Sequence, residues 1–150
     1  MLLTRRTCYG LIAAKHLAEH AGEGSFSASD LAEFYGLPHE ALAKMLQRLA
    51  TAGLLLSHHG MKGGYTLARS PQAISVFDVI EASEGPRSGI CGERWSMESV
   101  PSHHPLRRVG QLVEDMLRVL TVADITEQAS RLTDGEPHTV SHATNAKHMV

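Results

Sequence analysis

One order of elements restricts this chain more than any other feature. Residues 27–69 read SASDLAEFYGLPHEALAKMLQRLATAGLLLSHHGMKGGYTLAR. Ser27, with Asp30 three residues later, has the pattern of a reciprocal helix cap, so a helix starts here. Leu31 and Phe34 are expected to face inward from it, and Gly36 to end it. Pro38 suits the first turn of a second helix over 38–52, whose apolar stripe is Leu42, Met45, Leu46 and Leu49. Gly53 stops that helix. Two short helices with a tight glycine-containing turn match a helix-turn-helix. An apolar strand at 54–56 follows, then a turn with three glycines, expected where the backbone needs positive φ, and a second strand at 65–67. A hairpin directly after the second helix is the wing of a winged-helix domain.

The flanks fit around this centre. A helix over 4–20 carries Tyr9, Ile12, Ala13, His16 and Leu17 at helical spacing as its buried stripe. Ser75 and Asp78 cap another helix with Val76, Val79 and Ile80. A loop over 85–104 leads to a longer helix from Pro105 to about residue 121, with Leu106, Val109, Val113, Met116, Leu117 and Leu120 close to a and d positions. Thr121 and Asp124 begin a further short helical segment. The expected fold is mainly α with a small β-hairpin: a winged helix-turn-helix domain plus a long dimerisation helix. The expected division is 1–84 for DNA binding, 85–104 as a sensor loop, 105–132 for the dimer helix and short segment, and 133–150 as a disordered tail.

Composition narrows the function class. Hydrophobic residues are 43% of the chain, enough for a core, and aromatics only 5%, so that core is largely aliphatic. Net charge is −2, yet residues 1–69 hold seven Lys/Arg against five Asp/Glu, and residues 70–150 seven against eleven. The net charge does not by itself suggest a nucleic-acid binder, but the front half is mildly basic and the back half acidic. Two distant cysteines make no disulfide framework, and neither a signal peptide nor a membrane-spanning run is evident. A cytoplasmic protein with reduced thiols is expected. An enzyme is not expected, because a phosphate loop, a nucleophile elbow and an HExxH pair are all absent from the sequence.

The outward set on the second helix of the helix-turn-helix is His39, Glu40, Ala43, Lys44, Gln47, Arg48 and Thr51. Lys44, Gln47 and Arg48 can donate to bases or phosphates of double-stranded DNA, and Glu40 can accept from a cytosine amine. The wing tip offers His58, His59 and Lys62 to the minor groove or its phosphates. Arg5, Arg6 and Ser27 are candidates for backbone contacts near helix N-termini. A homodimer built on the long helix would read a roughly palindromic operator. A winged helix that binds protein instead of DNA is the competing reading.

Three stretches together resemble the IscR/NsrR-type family of winged-helix transcription regulators. They are the opening LLTRRTCYGLIAAKHLA, the wing GLLLSHHGMKGGYTLAR and the ISVFDVIEASEG that follows it. The resemblance covers most of residues 1–125. It implies a dimeric repressor or activator whose DNA affinity depends on a bound cluster or a thiol state. Sensory members of that family usually carry three loop cysteines, the last followed by Pro-Leu-His. Here Cys91 keeps the first place, the middle place falls near Ser96 or Met97, and His104 stands where the third cysteine would be. Arg107 replaces the family histidine, and His59 matches a wing arginine.

A cluster held by three loop cysteines is thus out of reach. Some similar proteins take a ligand from the position of Cys8. Cys8, Cys91 and His104, with His103 or an acid as fourth, would form a mixed sulfur and nitrogen set suited to a two-iron cluster or to zinc. Cys91 as a lone redox thiol, its pKa lowered by neighbouring arginines, is a second reading. A regulator without any cofactor is the third.

Overall fold

The computed structural model describes residues 3–85 and 105–126, and the following statements concern those residues. Helix α1 spans Arg5–Glu19, α2 Ala28–Tyr35 and α3 His39–Thr51. The hairpin β1 (Leu55–His58) and β2 (Gly64–Leu67) follows, then a short 3-10 turn at Pro71–Ala73, α4 (Val76–Glu84), α5 (Pro105–Val119) and a 3-10 turn at Ala123–Ile125. The expected sensor loop, apart from Gly85, and the expected tail lie outside the described residues, as does the end of the segment placed at 105–132.

Local chemistry accounts for the element ends. The Ser27 hydroxyl accepts the Asp30 N–H, and the Asp30 carboxylate accepts the Ser27 N–H. Ser75 and Asp78 repeat the device at α4. These caps satisfy N–H groups that the first helical turn leaves without partners. Thr4 caps α1 through its hydroxyl. Gly36 ends α2 in the left-handed region, φ 64°, where a Cβ would be strained. Pro38 stands just before α3, as its N-cap.

The core is aliphatic. Ala13 and Leu17 of α1, Leu31 of α2, Leu42, Met45, Leu46 and Leu49 of α3, Leu54 and Leu55, Ile74 and Val79 pack into one buried cluster. Val122, from beyond α5, is fully buried in the same cluster. It is held there by backbone bonds on either side: Val76 N–H donates to the Leu120 carbonyl at 2.8 Å, and Val122 N–H to the Ile74 carbonyl at 2.8 Å. The chain after α5 thus returns to the winged-helix core and closes it.

Two expectations are corrected. Phe34 does not face the core; it is 68% exposed. The rotation of α2 is set by fully buried Leu31 and by Tyr35, whose hydroxyl meets His16, and this carries Phe34 to the rim. The wing glycines also differ in purpose. Gly60 has φ +116°, but Gly63 and Gly64 do not have positive φ. A Cβ on Gly64 would lie 2.5–2.9 Å from the Phe26 backbone, because Phe26 pairs with Tyr65 as an extra bridge against β2. Close backbone approach, not a left-handed turn, excludes a side chain there.

Candidate nucleic-acid interface

Burial of Leu42, Met45, Leu46 and Leu49 turns the opposite face of α3 to solvent. His39, Glu40, Lys44, Gln47, Arg48 and Thr51 are all exposed, and Ala43 is half-buried. At about 100° per residue, Glu40, Lys44, Gln47 and Thr51 share one stripe, while Arg48 lies about 70° to one side. On that side its Nη1 donates to the Ser83 carbonyl of α4 at 2.9 Å. A groove of about 850 Å³ runs here between Lys44, Gln47, Arg48 and Thr51 on one wall and Asp78, Glu81 and Glu84 on the other.

The wing is a regular antiparallel pair with Leu55 opposite Leu67 and His58 opposite Gly64. His59, Met61 and Lys62 are exposed at its tip. The Ser25 hydroxyl donates to the Lys62 carbonyl at 2.7 Å, which ties the tip to the segment before α2. His58 Nε2 lies 2.8 Å from the Thr66 hydroxyl. Arg5 and Arg6 are exposed in the first turn of α1. Ser27 is already engaged: its N–H and hydroxyl both donate to Asp30 Oδ2, at 2.7 and 2.8 Å. Those two bonds, from the backbone N–H first, hold the Asp30 carboxyl below its ordinary pKa, so a negative charge sits at the α2 N-terminus.

Sequence reasoning placed His16 in the buried stripe but missed its surroundings. It is 3% exposed, and its Nδ1 lies 2.9 Å from the Tyr35 hydroxyl. Its ring stacks on His20 at 4.1 Å and meets Phe26, Phe34 and Tyr35 edge-on at 4.8–5.5 Å. Burial foremost, then the neighbouring His20, hold its pKa below the usual 6.5. The spacing of His16 and His20, one helical turn, was the available signal.

Of the proposed metal donors only Cys8 is described; it is half-buried on α1. Cys91, His103 and His104 lie outside the described residues. Among the described residues, no group of three or more His, Cys, Asp or Glu is arranged to hold a metal ion. No helix among them is long and apolar enough to cross a membrane.

A family profile described as "Rrf2: Iron-dependent Transcriptional regulator" matches residues 3–128. The chain belongs to the Rrf2 family. Among Rrf2 relatives, the HTH-type transcriptional regulator CymR of Bacillus subtilis is 32% identical over 136 residues, covering 91% of this chain and 94% of that protein. The structure of CymR, described as the global cysteine regulator of B. subtilis, matches with TM-score 0.69 at 29% identity over 85% of this chain and 98% of the other. A T. potens IscR structure matches with TM-score 0.65 at 33% identity over 91% and 89%. The Rrf2 assignment bears out the winged-helix fold and the resemblance drawn from the sequence. It makes the chain a DNA-binding transcription regulator and not an enzyme.

Proposed function

We propose that this Rrf2 protein is a cytoplasmic homodimer that represses transcription by placing α3 in the major groove of a roughly palindromic operator. The observation that carries this is the exposed polar stripe Glu40, Lys44, Gln47 and Thr51 on a helix whose other face is wholly buried. His39 flanks the stripe. His58, His59 and Lys62 of the wing, with Arg5 and Arg6, supply phosphate contacts. Ser27 is the weakest member of the set, because Asp30 already holds its hydroxyl.

The sensing reading rests on Cys8 together with Cys91, His103 and His104. Thiolate and imidazole donors fit a two-iron cluster, and zinc accepts the same types. Support comes from the position of Cys8: its neighbour Thr7 donates to Glu84 Oε1 at 2.7 Å, so the chain enters the 86–104 segment beside the turn that carries this thiol. A bound cluster would make DNA affinity respond to iron or redox state. A thiol reading centred on Cys91 has its own support: a matching Staphylococcus aureus CymR, 31% identical with TM-score 0.62, is solved in an oxidised form.

The test starts from anaerobic protein. Wild type, Cys8→Ala, Cys91→Ala and His104→Ala are compared for iron, sulfide, visible absorption and retardation of duplexes selected from a randomised pool. Chromophore in wild type, lost or shifted in each variant, supports the cluster. A colourless wild type whose DNA affinity responds to oxidant only while Cys91 is present supports the thiol. No effect of Cys91→Ala on either readout leaves a cofactor-free regulator. No duplex retarded at low salt overturns the DNA-binding reading and favours a protein partner.

A further inference from the structure

We propose that Arg48 is a positioning residue: it couples the recognition helix to the last turn of α4 and does not read bases. The inference rests on the DNA-binding reading above. The rotation of α3 is the first argument. Arg48 lies about 70° off the stripe of Glu40, Lys44, Gln47 and Thr51, on the side turned to α4. Its guanidinium donates to the Ser83 carbonyl at 2.9 Å. Carbonyls in the last turn of a helix lack intrahelical donors and carry the negative end of the helix dipole. A cation that donates there makes a charge-assisted bond, stronger than a neutral one.

The same turn of α4 is fixed from its other side. Thr7 donates to Glu84 Oε1 at 2.7 Å, and Thr4 bonds the same oxygen. Ser83 is fully buried, and its hydroxyl donates to the Val79 carbonyl at 2.6 Å. It sits so close to α1 that a Cβ on Gly10 would come within 2.1 Å of Ser83 Oγ. Residues 83 and 84 are therefore clamped to α1 by side chains and tight packing, and to α3 by Arg48. A shift of the α4 end relative to α1 is passed to the recognition helix through this guanidinium as well as through the shared core. The groove beside Arg48 carries Asp78, Glu81 and Glu84, and Lys44, Arg48 and Arg69 line it with them, so charges of both signs meet there.

A duplex selected by wild-type protein from a randomised pool is the probe. Affinity is measured over a salt series and against each single-base-pair change for Arg48→Met, Glu84→Met, the double variant and Lys44→Met. Arg48→Lys, which keeps a donor and a cation at the helix end, serves as the conservative control. Circular dichroism confirms folding. Arg48→Met should weaken binding by about tenfold, spread over all base pairs and with the salt slope unchanged. Glu84→Met should weaken binding too, and the double variant should be no weaker than the worse single, since both cut one linkage. Arg48→Lys should recover most of the loss. Loss confined to one base pair, a salt slope lowered by about one, strictly additive effects, or an unchanged affinity would each overturn the proposal. Failure of wild type to enrich any duplex would count against DNA binding itself, a separate outcome.

Discussion

His16 is a titratable ring in a place that disfavours its charged form. Burial opposes protonation most, and His20 and Lys15 add to it, while Glu19 and Glu23 pull the other way. Across the contact stand the Tyr35 hydroxyl and, lining the same small pocket, Asp30. The folded chain binds this proton less readily than the unfolded chain. The neutral ring's stabilisation is therefore complete above the unfolded value of 6.5, and is lost as pH falls below 6.5 toward the lowered folded value. The melting temperature of wild type should drop over that window more than that of His16→Gln, which keeps a hydrogen-bonding side chain and does not titrate. Parallel curves of melting temperature against pH would show that another group is responsible. Gly64 makes a second residue-scale case. Gly64→Ala drives a Cβ into the Phe26 backbone and should destabilise by about 1–3 kcal/mol, as overpacking does, read by urea unfolding. The sequence alone ascribed this glycine to positive φ, because a partner strand supplied by Phe26 leaves no local signal.

At the level of elements, the helix caps were legible because they are local: Ser27 with Asp30 and Ser75 with Asp78 need only four consecutive residues. Phe34 was misjudged because α2 is two turns long, and a partner outside it, His16, decides its rotation. The tie of Arg48 to the Ser83 carbonyl spans 35 residues and so left no local signal in the sequence, which offers Arg48 as a DNA contact. Val122 escaped notice as core because it lies in a polar-looking stretch after α5. The remaining stripe of α3 and the wing should behave differently toward DNA. Lys44→Ala should lose about 1–3 kcal/mol and relax preference at one base pair. Lys62→Ala should weaken all sequences alike and reduce the salt slope by about one. Quantitative retardation across salt and single-base-pair variants separates the two, and unchanged affinity in both variants would remove α3 and the wing from the interface.

For the whole molecule, the decisive surface is the free face of α5. Val109, Leu112, Met116 and Val119 are 54%, 58%, 66% and 79% exposed, and they recur at spacings of three, four and three. That repeat has the spacing that a paired helix would need for its seam. Burying one such side chain removes about 1.5–3 kcal/mol of unfavourable hydration, so a second copy of α5 is the natural cover. The stripe expected from sequence included Val113 and Leu117 in place of Leu112 and Val119, but both are half-buried within one chain, while Arg118 caps the Phe77 ring of α4 at 3.8 Å. A charge at 117 would therefore disturb the domain as well as the seam. Met116→Glu is the cleaner probe: it adds charge on the exposed face and leaves the Val122 anchor untouched. Because buried Val122, its bond to Ile74 and the bond from Val76 to Leu120 lock the end of α5 into each winged-helix core, pairing of α5 would also fix the separation of two recognition helices. Met116→Glu should sediment as a folded monomer, with an unchanged circular dichroism spectrum. Its affinity for a palindromic duplex should fall to that for a single half-site. A dimer that survives Met116→Glu, or a monomer that still prefers the palindrome, would place the interface elsewhere.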